Sequence, residues 1–303
     1  MPKRIAQVKR KVTVSIIGTG RLGTALALAL TSHGYSVQAL VSRRLSQAQK
    51  ARRLLGGKAL ALSENQLNQL PASRLVLIST PDDVIAEVAG NLAKSQEGMP
   101  RDRTALHTSG ALSSEVLTPL AEVGFHVGSL HPLVSVSDSV SGVISLGGAF
   151  YCLEGDDAAV RVARMLVRDL GARSFAIDSR KKALYHAAAV MASGHVVALF
   201  DIATEMLTRC GLNQANARRV LLPLVESTVR NLSNSDPARA LTGTFARGDL
   251  ATVRRHLAAL SSDTLEDALV AYRLLGQRSL RLMENSADPR TLKQISRALK
   301  RSR

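Results

Sequence analysis

The stretch Ser15–Arg44, SIIGTGRLGTALALALTSHGYSVQALVSRR, decides how the chain is read. Val12–Ile17 passes from alternation into a continuous apolar run, the pattern of a strand buried on both faces of a parallel sheet. Gly18-Thr19-Gly20-Arg21-Leu22-Gly23 follows at once, then an apolar helical segment, Thr24–Ser32, that stops near Gly34, then a second strand, Ser36–Val41. The pattern G-x-G-x-x-G is weak evidence alone. Between a strand and a helix, inside a β-α-β unit of about thirty residues, it marks a dinucleotide site. Gly18 permits the tight turn, Gly20 lets the backbone approach a pyrophosphate, and Gly23 allows close helix–strand contact. The helix N-terminus attracts the phosphates. Gly18, Thr19, Gly20, Arg21, Leu22 and Gly23 are therefore the candidate cofactor loop.

The second strand ends in Ser42-Arg43-Arg44. An Asp or Glu there would accept hydrogen bonds from a ribose 2′-hydroxyl and repel a 2′-phosphate. Ser42 can instead bond that phosphate, and Arg43 and Arg44 can pair with it, so the ending favours NADP(H) over NAD(H). The alternative is that both arginines are solvated loop charges.

Strand and helix continue to alternate. Arg74–Ser79 is closed by Thr80-Pro81-Asp82-Asp83, Thr104–His107 leads into Thr108-Ser109-Gly110, and His126–Leu130 ends at His131-Pro132. Phe150–Leu153, a helix over Asp156–Leu170, and Ser174–Ile177 follow. Ligands in such sheets bind outside the carboxyl ends of the strands. That placement adds Thr80 and Pro81 to the cofactor candidates and makes Ser109 and His131 candidates for the chemistry. Singly, each reads more readily as a turn cap or a loop histidine.

After Asp178 the strand pattern disappears. Ser179–Cys210 reads as one long helix, capped by Asp178 or Ser179 and ended by Gly211. Helices are expected over Gln214–Leu232, kinked at Pro223, and over Leu250–Leu260 and Thr264–Glu284. The expected fold is α/β: a basic N-terminal arm over 1–11, a Rossmann-like, mostly parallel sheet domain over 12–178, and an all-helical domain over 179–303 built on the long helix. On that helix Lys182, His186, Ala189 and Ser193 share a stripe bordered by small residues, suited to close approach to a flat ligand such as a nicotinamide. Lys182 sits in the first turn, where the macrodipole disfavours a cation, lowers its pKa and makes it a better proton donor. The bland reading is a surface lysine and a core histidine bonded to a carbonyl. Arg247, in TFARGDL, is either a carboxylate clamp or the ion-pair partner of Asp249 or another acid.

The chain has 303 residues, 46% of them hydrophobic and 3% aromatic, with no Trp and a net charge of +16. Part of that charge lies in Lys3, Arg4, Lys9, Arg10 and Lys11, and in Arg297, Lys300, Arg301 and Arg303. No zinc-finger spacing, recognition-helix pattern or aromatic platform accompanies it, so nucleic acid is not the expected partner. Solvated termini, or steering of an anionic cofactor, account for it. Cys152 and Cys210 lack paired spacing, which suits a reducing cytoplasm, and the histidines lack ligand spacing, so no metal is implied. ALYHAAAVMASGHVVALF, residues 183–200, holds two histidines and follows Arg180-Lys181-Lys182. It reads as a buried helix and not a membrane span. A non-enzymatic reading stays open: an NADP(H) sensor whose basic ends contact a partner.

The segments GTGRLGTALA, STPDDVIAEVA, HTSGALSSEVL, VGSLHPL, KKALYHAAAVMASGH and LTGTFARGDLATVRRHL, in this order from Val12 to Leu282, resemble bacterial oxidoreductases that join an NADP-binding Rossmann-like domain to a C-terminal helical domain of unknown function. More distantly the chain is similar to ketopantoate, pyrroline-carboxylate and β-hydroxyacid enzymes and to prephenate dehydrogenases. The resemblance implies hydride transfer between nicotinamide and a small 2-oxo or imino carboxylate, ketopantoate first, and pairing of the helical halves into a homodimer. It implies that Lys182 polarises the carbonyl and helps supply the proton. His186 would be the alternative acid or hold Lys182, while Ser109 and His131 bind the substrate or the nicotinamide edge. The chain departs from the family pattern at Gly194, where relatives carry Asn, and at Thr244, where many carry Pro.

Overall fold

The computed structural model describes residues 12–95, 98, 102–262 and 265–300. The basic arm over 1–11, Thr264, Arg301 and Arg303 lie outside them. The chain divides into two compact units that meet at Ser193 and Gly194.

The first unit follows β-α order: β1 (Thr13–Ile17), α1 (Arg21–Ser32), β2 (Ser36–Ser42), α2 (Leu45–Leu54), β3 (Leu60–Ser63), β4 (Leu75–Ile78), α3 (Asp82–Ser95) and β5 (Arg103–His107). It continues with α4 (Thr118–Glu122), β6 (Phe125–Leu133), α5 (Gly142–Gly148), β7 (Phe150–Gly155), α6 (Asp157–Asp169), β8 (Arg173–Ala176) and α7 (Lys182–Ala192). The strands form one sheet in the order β3-β2-β1-β4-β5-β6-β7-β8, parallel throughout except where β7 runs against β6. Alternate side chains feed two cores, as period-2 geometry requires. Leu75 and Leu77 pack on one face with α1, α5 and α6, while Val76 and Ile78 pack on the other with α3 and α4. Strand order reverses between β1 and β4, so a crevice opens at their carboxyl ends.

All seven strands expected from the sequence are present, with small shifts at their ends. β6 is the exception in extent: it runs through His131 and Pro132 to Leu133 instead of ending before them. The antiparallel ladder with β7 holds it extended, pairing His131 with Cys152 and Pro132 with Tyr151. β3 is an added edge strand.

The second unit is helical: α8 (Gly194–Arg209), α9 (Gln214–Asn234, running through Pro223), α10 (Pro237–Ala240), α11 (Leu250–Ser262), α12 (Glu266–Leu282) and α13 (Pro289–Lys300). The single helix expected over 179–210 is a 3-10 turn over Ser179–Lys181 followed by α7 and α8. The break falls at Ser193, whose φ of −127° and ψ of −75° leave the helical region. The periodicity changes at Asp178, yet α7 belongs with the sheet unit because its first residue, Lys182, is anchored there. Arg297 and Lys300 are not frayed ends. They lie on α13, which packs Ile295 and Leu299 against Val253 of α11 and Leu280 of α12.

Residues 179–209 are long and apolar enough to cross a membrane by length and composition. Within the chain this segment is mostly exposed and not buried as expected: Val197 is 69% exposed. Leu224 of α9 and Leu274 of α12 are similarly bare. Among the described residues these apolar side chains are largely uncovered.

Candidate active site

The glycine turn leaves β1 with Gly18 at φ +98°, its N–H donating to the Val41 carbonyl at 2.8 Å. A Cβ on Gly18 would strike the Ser79 carbonyl, and one on Gly23 would strike the Gly18 carbonyl. A Cβ on Gly20 would meet nothing within 4 Å, so the backbone at the start of α1 faces open space. This opening belongs to a cavity of about 270 Å³ at the reversal of strand order. Ile17, Gly18, Thr19 and Gly20 form one wall, Ser79, Thr80 and Pro81 another, and Val41, Ser42 and Arg43 close the end. Arg43 is the cation among the lining residues, with Glu64 and Asp83 as the acids. Thr19 Oγ1 and Thr80 Oγ1 are buried there without a hydrogen-bond partner. A buried hydroxyl without a partner is costly, and a bound polar ligand removes that cost. The open glycine backbone, the two hydroxyls and Arg43 fit a phosphorylated dinucleotide.

A second cluster lies further along the same edge. The Thr108 hydroxyl, donating to Ser79 Oγ at 3.3 Å, links the two strand ends. Lys182 Nζ, only 2% exposed at its side chain, donates to the Ser109 carbonyl at 3.0 Å and to Ser129 Oγ at 2.6 Å. It lies 4.0 Å from Glu154 Oε1. The Ser114 backbone N–H and hydroxyl hold both oxygens of that carboxylate at 2.8 Å. The Ser109 hydroxyl caps its own loop, accepting from the N–H groups of Ala111 and Leu112. Above this buried base sit His131 and His186, both half-buried, their rings edge to face at 5.7 Å. A Cβ on Gly110 would collide with both rings.

Burial disfavours charge on these groups. It lowers the pKa of Lys182, against the opposing pull of Glu154 and Cys152. Burial and then the Lys182 charge push His107 down to about 3. Burial, Lys182 and His186 push His131 down to about 4. Burial raises the Cys152 thiol.

A Rossmann-like domain family matches residues 2–132, and the domain of unknown function DUF2520 matches residues 149–279. The chain joins a Rossmann-like domain to a DUF2520 domain. No curated protein matches it in sequence. Among solved structures it is similar to a Thermotoga maritima protein at 24% identity and TM-score 0.72, covering 90% of this chain and 100% of that one. A proposed NADP oxidoreductase from Bacteroides fragilis gives 22% identity and TM-score 0.71, covering 89% and 98%. A reductive aminase from Aspergillus terreus, solved with NADPH4, cyclohexanone and allyl amine, gives 17% and 0.62, covering 95% and 99%. These likenesses establish the fold.

Within this Rossmann–DUF2520 chain the expected residues separate into groups. Gly18, Thr19, Gly20, Ser42, Arg43, Thr80 and Pro81 line one cavity. Gly23 acts on the turn itself, Arg21 is exposed and Leu22 packs on the core. Arg44 is the exposed N-cap of α2, and the Ser42 hydroxyl donates to Gln47 Oε1. Lys182, Ser109, His131 and His186 do come together. Lys182, however, lies beneath the site instead of at its surface, and burial is the first cause of its lowered pKa. Arg247 is exposed in the second unit, where its charge acts on Asp249. Sequence reading missed Glu154, Ser129, Ser114 and Tyr185. Glu154, an acid inside the apolar strand FYCLEG, was the signal available.

Two outcomes follow from the cluster. Lys182→Met leaves the Glu154 carboxylate buried without its cation and should cost about 3–5 kcal/mol of stability. Adding Glu154→Gln should recover part of that loss, and urea unfolding of the two singles and the double measures the coupling. The pH outcome rests on His107 and His131, neutral when folded, whereas the unfolded imidazoles gain protons as pH falls through 6.5. Stability is therefore full above about 6.5 and lost as pH falls toward 4, by about 2 kcal/mol per histidine at pH 5. Thermal melts should drop several degrees between pH 7 and 5, and less in His131→Gln. A flat profile contradicts the burial of these rings.

Proposed function

We propose that the chain is an NADP(H)-dependent oxidoreductase acting on the carbonyl or imine carbon of a small 2-oxo or imino carboxylate. The observation that carries this is the cavity at the reversal of strand order, with its open glycine turn, two unpartnered threonine hydroxyls and Arg43. The N–H groups at the start of α1 would receive the pyrophosphate, and Arg43 the 2′-phosphate. Thr19 and Thr80 would bond the dinucleotide along its length. When bound, the cofactor supplies the hydride.

The strand ends of β1, β4, β5 and β6 succeed one another from Gly18 through Thr80 and Ser109 to His131, so a nicotinamide extended along this edge would meet the second cluster. There the half-buried His131 and His186 would touch the substrate. Lys182, held below, would support the Ser109 carbonyl and contribute positive potential toward a carboxylate. This division of labour replaces direct contact by Lys182. The names of two neighbours, the reductive aminase and a Plasmodium falciparum pyrroline carboxylate reductase solved with NADP, support an imine substrate beside the 2-oxo acids. The pyrroline carboxylate reductase gives 12% identity and TM-score 0.56. A panel of cyclic imines and 2-oxo acids, ketopantoate included, scored by NADPH oxidation, selects between them.

The reading extends to a homodimer formed by the bare apolar faces of α8 and α9, since a second copy would cover Val197, Val220, Leu224 and Val229. Cys152 and Cys210, without paired spacing, suit a reducing, cytoplasmic setting in this reading.

Titration calorimetry should show NADPH binding more tightly than NADH, and Arg43→Ala should weaken NADPH about tenfold or more while leaving NADH nearly unchanged. Equal losses for both cofactors overturn the 2′-phosphate assignment. Sedimentation at micromolar concentration should give a dimer, and Leu224→Glu with Val197→Glu should give a monomer. A monomeric wild type overturns the pairing.

A further inference from the structure

His131 is held from behind. Its Nδ1 lies 2.6 Å from the Tyr185 hydroxyl, the shortest contact the imidazole makes among the described residues. The two rings meet edge to face at 5.5 Å, and Phe175 makes a second edge contact with Tyr185 at 5.9 Å. Cys152 is fully buried opposite His131 in the β6–β7 ladder. On the other side of the imidazole, Nε2 and Cε1 close on the position a Gly110 Cβ would take, beside His186.

A single proton decides which ring nitrogen faces the site. In one arrangement Nδ1–H donates to the tyrosine oxygen. The tyrosine O–H must then find another acceptor. In the other, the tyrosine O–H donates to Nδ1, and Nε2 carries the proton. The 2.6 Å separation selects the second: it is short for N–H donation to oxygen and suits O–H donation to an imidazole lone pair.

We propose that Tyr185 is a positioning residue: its hydroxyl donates to His131 Nδ1, fixes the imidazole as the Nε2–H tautomer and aims that N–H past Gly110 into the site. The N–H then presents a donor to the carboxylate or reacting oxygen of the substrate, and this last clause rests on the oxidoreductase reading above. The groups surrounding His131 agree with a neutral ring. Lys182 and His186 on α7 oppose a further positive charge, and His107 on β5 is itself held neutral. Cys152 and Tyr185 keep their protons because burial raises both. Glu154, the acid of this cluster, is already engaged by Ser114 and Lys182.

The test is a long-range proton–nitrogen correlation spectrum of the full-length protein labelled at histidine nitrogens, with the His131 signals assigned by their loss in His131→Gln. The expected result is a protonated Nε2 and a bare, hydrogen-bonded Nδ1 in the wild type at pH 7. In Tyr185→Phe the same ring should move to a mixture of tautomers, with NADPH affinity within about twofold of wild type. A wild-type Nδ1–H, or a Tyr185→Phe spectrum identical to wild type, overturns the proposal. Should Tyr185→Phe not fold, the wild-type spectrum decides alone. Calorimetry with NADPH is read separately: failure to bind sinks the oxidoreductase reading and leaves the tautomer measurement valid.

Discussion

The histidine half of the active edge depends on one buried ammonium group. Lys182 Nζ ties a backbone carbonyl after β5, a serine in β6 and a carboxylate in β7 to the first residue of α7. An unpaired charge at that depth is prohibitively expensive, so the sheet supplies acceptors around it. In return the cation fixes the Thr108–Gly110 loop, whose lack of a side chain at 110 lets two histidine rings close over it. The order of dependence runs from counter-ion to lysine, from lysine to loop, and from loop to imidazole.

The two halves of the site rest on different physics. The dinucleotide cavity is built from what is missing. Glycine turns without Cβ atoms and threonine hydroxyls without partners leave the work to a ligand. The histidine cluster is built from what is satisfied, since its lysine, carboxylate and tyrosine each have a partner within the chain. A pre-satisfied network holds geometry, whereas an unsatisfied cavity holds affinity.

Local spacing carried the parts of the fold that local spacing can specify. The strand–glycine–helix order around Gly18, the seven strands and the phase that puts Lys182 inward and Lys181 outward were all legible. β3 was not, because four residues at a sheet edge, of which only Leu62 is buried, carry too weak a pattern. α13 hid behind its own charge. Arg297 and Lys300 suggested a solvated tail, although Asp288 and Pro289 give an N-terminal signal, and Leu292, Ile295 and Leu299 an inward stripe. The partners of Lys182 were out of reach for another reason: Ser109 is 73 residues away and Ser129 53, and nothing in spacing reports a contact made only when strand ends converge. The helical face expected to be buried was correctly apolar. Whether a given apolar face meets its own chain or another is not a property of periodicity.

The antiparallel step from β6 to β7 has an architectural consequence. A parallel neighbour would have to begin at the far end of the sheet. Because β7 runs backwards, it begins where β6 ends, so residues 134–149 emerge and return at the same edge as the dinucleotide turn. This segment lies against α1, where Val136 and Gly142 meet Ala25. It is therefore a rim on the strand-end side of the sheet, whose length can change without changing the register of any strand. A chain with such a rim can vary there while its sheet, its glycine turn and its buried lysine stay as they are.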